Sequence, residues 1–118
     1  MLKIYTYKGC STCKKAVKFL KDADIAFTEV PIREQPPTVE ELKSMLAAYD
    51  GNLRKLFNTS GGDYREMGLG AKIDTLSERE ALGLLHGNGN LVKRPFALAP
   101  GLHLVGFDET AWKQALKR

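Results

Sequence analysis

Residues 2–16 read LKIYTYKGCSTCKKA, and the fold turns on how they are parsed. Residues 2–6 alternate apolar and polar side chains and are rich in strand formers, which predicts a strand. Lys8-Gly9-Cys10 breaks the alternation. From Ser11 to Asp22, and on to Ala23, the apolar residues Ala16, Phe19, Leu20 and Ala23 recur at helical spacing, with Lys14, Lys18 and Lys21 on the opposite face. A second strand is predicted over residues 26–32, AFTEVPI, with Pro31 marking its end or an edge position. Strand, helix and strand in succession form a βαβ unit, which implies parallel pairing and a right-handed crossover.

Further along, REQPP (residues 33–37) is a loop. Thr38 with Glu41 has the spacing of a capping box, opening a helix to about Tyr49 with Val39, Leu42, Leu46 and Tyr49 along one face. Gly51 stops it. LRKLF is a short helical turn, and NTSGGDY a polar, Gly-rich loop. Thr75 with Glu78 is the expected start of the next helix, to about Leu85, ended by HGNGN. RPFALA and LHLVGF are two strands joined at Pro100-Gly101, so a hairpin. The closing DETAWKQALKR is an amphipathic helix, acids first and bases last, as the helix dipole prefers. The order β-α-β, helices, β-β-α is that of an α/β, thioredoxin-like fold with a helical insertion between its βαβ and ββα halves.

The bulk numbers fit one domain over residues 1–118. A chain of 118 residues with 43% hydrophobic and 27% charged side chains is ordinary for a soluble protein. It buries roughly two-thirds of its unfolded surface without needing staples. No apolar run is long enough for a membrane span, and the N-terminus lacks the apolar stretch of a signal peptide. A cytoplasmic location is the expectation, and there a permanent disulfide is the exception. The net charge of +4 suits an anionic small substrate or an acidic protein surface. No Arg-rich run or aromatic-interleaved basic patch points to direct nucleic-acid binding.

Cys10 and Cys13 are the only cysteines in the chain. They are read as a redox pair, a metal clip or two small core residues. Zinc wants about four ligands, and His86 and His103 are far apart without a zinc-finger spacing. A phosphatase-type Cys-x5-Arg loop is ruled out because its arginine position is Ala16. The strand–Cys-x-x-Cys–helix context favours the redox reading over inert core residues. Cys10 lies where the strand ends and the helix begins, so the first free amides and the dipole favour its thiolate. Lys8, Lys14 and Lys15 add positive charge. Cys13, one turn on, is placed to attack an adduct on Cys10 and close a Cys10–Cys13 disulfide.

The stretches IYTYKGCSTCKKA, LFNTSGGDYREMGL, LVKRPFAL and VGFDE together give a sequence that resembles the arsenate reductase (ArsC) family, in its Spx/MgsR and YffB-like branch. The resemblance spans nearly the whole chain. It implies a nucleophile at Cys10 and a basic residue, Arg94, before a cis-proline, Pro95, beside the reactive cysteine. Arg94 would hold an oxyanion, a glutathione carboxylate or the thiolate itself. Ser11, Thr12, Asn58 and Pro95 complete the candidate substrate-binding set, beside Cys10, Cys13 and Arg94 as catalytic candidates. Members that reduce arsenate present further arginines, where this chain has Asn58 and a position near Gly106, and have Ser or Thr where it has Cys13. A thiol–disulfide oxidoreductase is therefore the first expectation. It would have no tightly bound cofactor or metal, with glutathione, thioredoxin or glutaredoxin as reductant and a small thiol or redox protein as partner. The alternatives are an Spx/MgsR-type redox-sensing regulator that binds the RNA polymerase alpha subunit, and a glutathione- or glutaredoxin-dependent arsenate reductase. Gly51 falls near the glycine of the Spx docking surface, though a helix terminator explains it as well. Tyr64 and Arg65 of the Gly-rich stretch are candidates for a ligand-facing loop, His103 for an ordinary strand position, and Trp112 for the anchor of the last helix.

Overall fold

The period-two stretch Leu2–Thr6 is β1, followed by helix α1 at Ser11–Asp22 and strand β2 at Phe27–Pro31, in a computed structural model that describes residues 2–116. After a helical segment, β3 (Phe96–Ala99) and β4 (Leu102–Val105) form the hairpin, and a helix over Glu109–Leu116 closes the chain. The sheet order is β2-β1-β3-β4. β1 and β2 run parallel, from Leu2 opposite Phe27 to Thr6 opposite Pro31, and the other two pairings are antiparallel. Pro31 therefore ends an edge strand, where its missing N–H costs no ladder bond. This is the mixed four-stranded, thioredoxin-like arrangement that the element order implied.

The chain divides into two compact units. One joins the described residues up to Pro31 with those from Arg94 onward; the other is Ile32–Lys93. In the first, alternation along the strands sends Leu2, Ile4, Ala97 and Leu104 to one face of the sheet. Ala16 and Leu20 of α1 and Trp112 of the last helix pack on it. Trp112 is fully buried and donates from Nε1 to the Gly106 carbonyl at 3.1 Å. Its ring meets Phe107 and Phe19 edge-on, with centroids 5.1 and 6.3 Å apart. That satisfies the one polar atom of a large apolar body, which is what burying a tryptophan requires. Asp108 starts this helix by accepting from the amides of Thr110 and Ala111. Lys117 and Arg118, included in the expected helix, lie outside the described residues.

The second unit contains α2 (Val39–Ala48), α3 (Gly62–Glu66), α4 (Leu69–Lys72) and α5 (Glu78–Gly87), which makes the closing helix α6. The Thr38–Glu41 capping box is present in both directions. Met45 is buried on α2, whereas Val39 at its first turn is 36% exposed. Two sequence expectations are corrected here. NTSGGDY is only partly a loop, because α3 begins at Gly62 and turns Tyr64 inward against Phe57, with centroids 6.1 Å apart. The helix expected to start at Thr75 starts two residues later. Ser77 and Glu80 form its capping box, and the Thr75 hydroxyl instead donates to the Lys72 carbonyl, closing the preceding 3-10 turn. His86, in the last turn of α5, bonds through Nδ1 with the Pro37 carbonyl at 3.0 Å. That is a structural tie.

Gly89 is the tightest position. A Cβ there would overlap the carbonyl oxygen of Ile32, with the carbonyl carbon only 2.8 Å away. Because the obstacle is backbone, no rotamer change relieves it. Gly89→Ala is expected to destabilise the protein by about 3 kcal/mol or more, the upper end of overpacking costs. Gly83→Ala, in α5 with nothing within 4 Å, should leave stability unchanged or raise it by about 0.5–1 kcal/mol through helix propensity. Urea unfolding of the two variants and wild type measures both; equal midpoints for Gly89→Ala and wild type contradict the packing argument.

Candidate active site

Cys10 leaves β1 in extended backbone geometry, φ −94° and ψ 111°, and is the N-cap of α1. The cap is made by its sulfur. The Cys13 amide donates to Cys10 Sγ at 3.2 Å, and the Cys10 amide donates to the Tyr7 carbonyl at 3.0 Å. A cap normally uses an oxygen acceptor; here the acceptor is a sulfur, at the positive end of a twelve-residue helix. Cys10 is half-buried, Cys13 is buried at 2% exposure, and both are free.

Burial, the largest cause, pushes the Cys13 thiol up from about 9 to about 12. Its side-chain hydrogen bond with Cys10 raises it further, as does the charge on Cys10, while a backbone hydrogen bond from Tyr7 and the Arg94 charge pull it down. The two sulfurs are therefore unequal: one half-exposed at the helix N-terminus, one sealed beneath and retained as a thiol.

Arg94 belongs to the same unit, brought back by β3. The Arg94–Pro95 bond is cis, as the resemblance implied. The guanidinium carbon lies 4.9 Å from the centre of the Tyr7 ring, a cation–π distance. Among the described residues, the buried Nη1 of Arg94 has no hydrogen-bond partner. A buried, unsatisfied guanidinium nitrogen is expensive unless something comes to it. An oxyanion, a carboxylate or a thiolate is the kind of acceptor that would satisfy it. Tyr7 was not among the sequence candidates. The signal for it was Gly9: a Cβ there would lie 2.9 Å from the Tyr7 ring, so the glycine makes room for the aromatic.

The structure thus gathers Cys10, Cys13, Arg94 and Pro95 in one unit, with Ser11 exposed and Thr12 half-buried in the first turn of α1. Asn58 is in the other unit. There its amide donates to the Asn90 carbonyl at 3.4 Å, and its backbone N–H donates to Leu91. Tyr64 is buried, and Arg65 donates to the Ser60 carbonyl, so this stretch is held by its own contacts. Among the described residues, no three His, Cys, Asp or Glu side chains gather as a metal site, and no helix is long and apolar enough to cross a membrane.

The family model described as the ArsC family matches residues 5–115. The uncharacterized protein YusI of Bacillus subtilis is 42% identical over 113 residues, covering 96% of each chain. The global transcriptional regulator Spx of Enterococcus faecalis is 29% identical over 118 residues, covering all of this chain and 88% of that protein. A crystal structure from Bacteroides fragilis, described as an ArsC family related protein, superposes with a TM-score of 0.90 at 40% identity, covering 97% and 96% of the two chains.

The inequality of the sulfurs has a direct readout. Iodoacetamide at pH 8 is expected to label Cys10 and spare Cys13, as peptide mass spectrometry reads. Comparable labelling of both in the folded protein contradicts the burial of Cys13. The sign for stability follows from a raised native value: the contribution is full below about pH 9 and is lost as pH rises to about 12. Denaturant midpoints of the reduced protein should fall across that window, and fall less in Cys13→Ala.

Proposed function

The chain belongs to the ArsC family, and on that footing we propose a thiol–disulfide oxidoreductase in which Cys10 attacks and Cys13 resolves. The observation that carries the reading is geometric: Cys10 Sγ caps α1 and accepts from the amide of Cys13, which is buried one turn on. Two of the causes that keep Cys13 protonated are the hydrogen bond to Cys10 and the charge on it. Both weaken once Cys10 is in a mixed disulfide, so the second thiol becomes easier to deprotonate at the moment it is needed.

The exchange balances as follows. The Cys10 thiolate attacks one sulfur of a substrate disulfide, a Cys10–sulfur bond forms, and the displaced thiolate takes a proton from solvent. Cys13 gives up its proton and attacks Cys10 Sγ, releasing the second substrate thiol. The substrate gains two electrons, and the pair becomes a Cys10–Cys13 disulfide. A cellular thiol, glutathione or a thioredoxin- or glutaredoxin-type protein, returns the electrons. Arg94 is assigned to hold the developing thiolate or a substrate carboxylate through the nitrogen that lacks a protein acceptor. Ser11, Thr12 and Pro95 border the entering group. Arsenate fits less well, because the further arginines of arsenate-reducing members correspond here to Asn58 and a position near Gly106, neither of them basic.

A second reading is favoured by the similarity to Spx over all of this chain and 88% of that protein. In it the same pair is a switch, the partner is the RNA polymerase alpha subunit, and there is no turnover. A coupled disulfide-reduction assay separates the two. Cys10→Ser is expected to lose about 100-fold or more of the activity. Cys13→Ser should accumulate a covalent substrate adduct visible by intact mass. Arg94→Ala should slow reduction about 10–100-fold, the worth of a charge-assisted hydrogen bond of about 1.5–3 kcal/mol. Unchanged activity in Cys10→Ser overturns the proposal, and so does alpha-subunit binding by a wild type with no turnover.

A further inference from the structure

A cleft of about 440 Å3 runs along α1 on the side of the edge strand β2. Lys14, Lys18 and Lys21 line it from the helix, Lys8 from the loop before it and Glu29 from the strand, and Cys13 borders it. None of the chemistry above uses these lysines together. We propose that this cleft is a docking groove for an acidic, extended segment of a protein partner. Its link to catalysis, steering the Cys10–Cys13 pair to disulfides in such partners, rests on the oxidoreductase reading.

Spacing supports an extended ligand. Lys14, Lys18 and Lys21 are at i, i+4 and i+7, so they share one helix face over about 10 Å. An extended chain covers that span in about three residues, and its same-face side chains recur about every 6.8 Å. Acids at alternate positions therefore meet successive lysines. Charge supports an acidic one. The carboxylates that border the cleft already have partners: Asp22 pairs with Lys18 at 2.7 Å, and Glu29 accepts from the Thr6 hydroxyl at 2.6 Å. Among the described residues, Lys8, Lys14 and Lys21 make no ion pair. Glu29 on the strand side repels acids from that wall and so sets which side of the ligand faces the helix. Val17 and Tyr7 offer apolar surface to the residue between.

Magnitude supports a polyvalent one. All four lysines are exposed, and a single exposed ion pair raises affinity about fivefold at most. A small anion touching one of them gains little. A segment that meets several accumulates affinity and is steered by the field they share.

The probe is a fluorescein-labelled eight-residue peptide with glutamate at alternate positions and no cysteine, against the same peptide with glutamine. Anisotropy is measured on the reduced full-length protein at 50 mM salt. Saturable binding of the glutamate peptide alone is expected, weakened about tenfold or more in Lys14→Glu/Lys21→Glu and by raising salt to 300 mM. Lys43→Glu/Lys72→Glu carries the same charge change at exposed positions of the other unit and should bind as wild type. No saturable binding, equal loss in both double variants, or displacement of the peptide by oxidised glutathione at equal carboxylate concentration overturns the groove. The last outcome points to a small acidic disulfide instead. No turnover enters this readout, so binding by a protein with no reductase activity upholds the groove while it defeats the oxidoreductase reading.

Discussion

The bond from the Cys13 amide to the Cys10 sulfur is the constraint on which the site depends. A helix must satisfy its first amides, and here a cysteine sulfur, the one proposed as nucleophile, does so. The cap fixes where Cys10 Sγ sits relative to the helix axis, and the helix then fixes Cys13 one turn below. Cys10 is held at the N-terminus of α1. Cys13 is pushed up first by burial, and the neighbouring Cys10 adds to it through a side-chain hydrogen bond and its charge.

The sheet supplies what the helix lacks. Central β1 runs into the Cys10 loop, and β3 pairs with β1 from Lys3 opposite Leu98 to Tyr5 opposite Phe96. That register carries Arg94, just before β3, to the Tyr7 ring just after β1. A slip of one residue would turn Phe96 from one face to the other and move the guanidinium away. The position of Arg94 is therefore held by the buried alternation of Ile4, Ala97 and Leu104 as much as by its own contact. Trp112, locked to Gly106 by its indole N–H, holds α6 on the same face.

The unit Ile32–Lys93 shows how short-range rules compete. Thr38 and Glu41 form the capping box their spacing promised, but Thr75 and Glu78, with the same spacing, do not. Ser77 and Glu80 repeat the pattern two residues later, and Thr75 spends its hydroxyl on Lys72. Two overlapping signals of equal local quality were decided by the 3-10 turn before the helix. In the same way, NTSGGDY has loop composition, yet the apolar body of Tyr64 finds Phe57 and pulls Gly62–Glu66 into a helix. The aromatic burial outweighs the flexibility cost of two glycines.

What the sequence by itself determined is what depends on residues within about one helical turn or one strand of each other. That covers the βαβ opening, the Thr38 cap, the Pro100-Gly101 hairpin, Cys10 at the helix N-terminus and Cys13 one turn after it. Period-two and helical patterns, capping spacings and turn residues act at that range. Through family resemblance it also pointed to Arg94 and the cis bond at Pro95. What only the tertiary structure decided were quantities set by groups far apart in the chain: the Tyr7 platform under Arg94, the unsatisfied nitrogen, the elevation of Cys13, and a lysine-lined cleft facing Glu29. Desolvation and charge act through space, and which groups share that space is fixed only when strand register and helix packing bring them together.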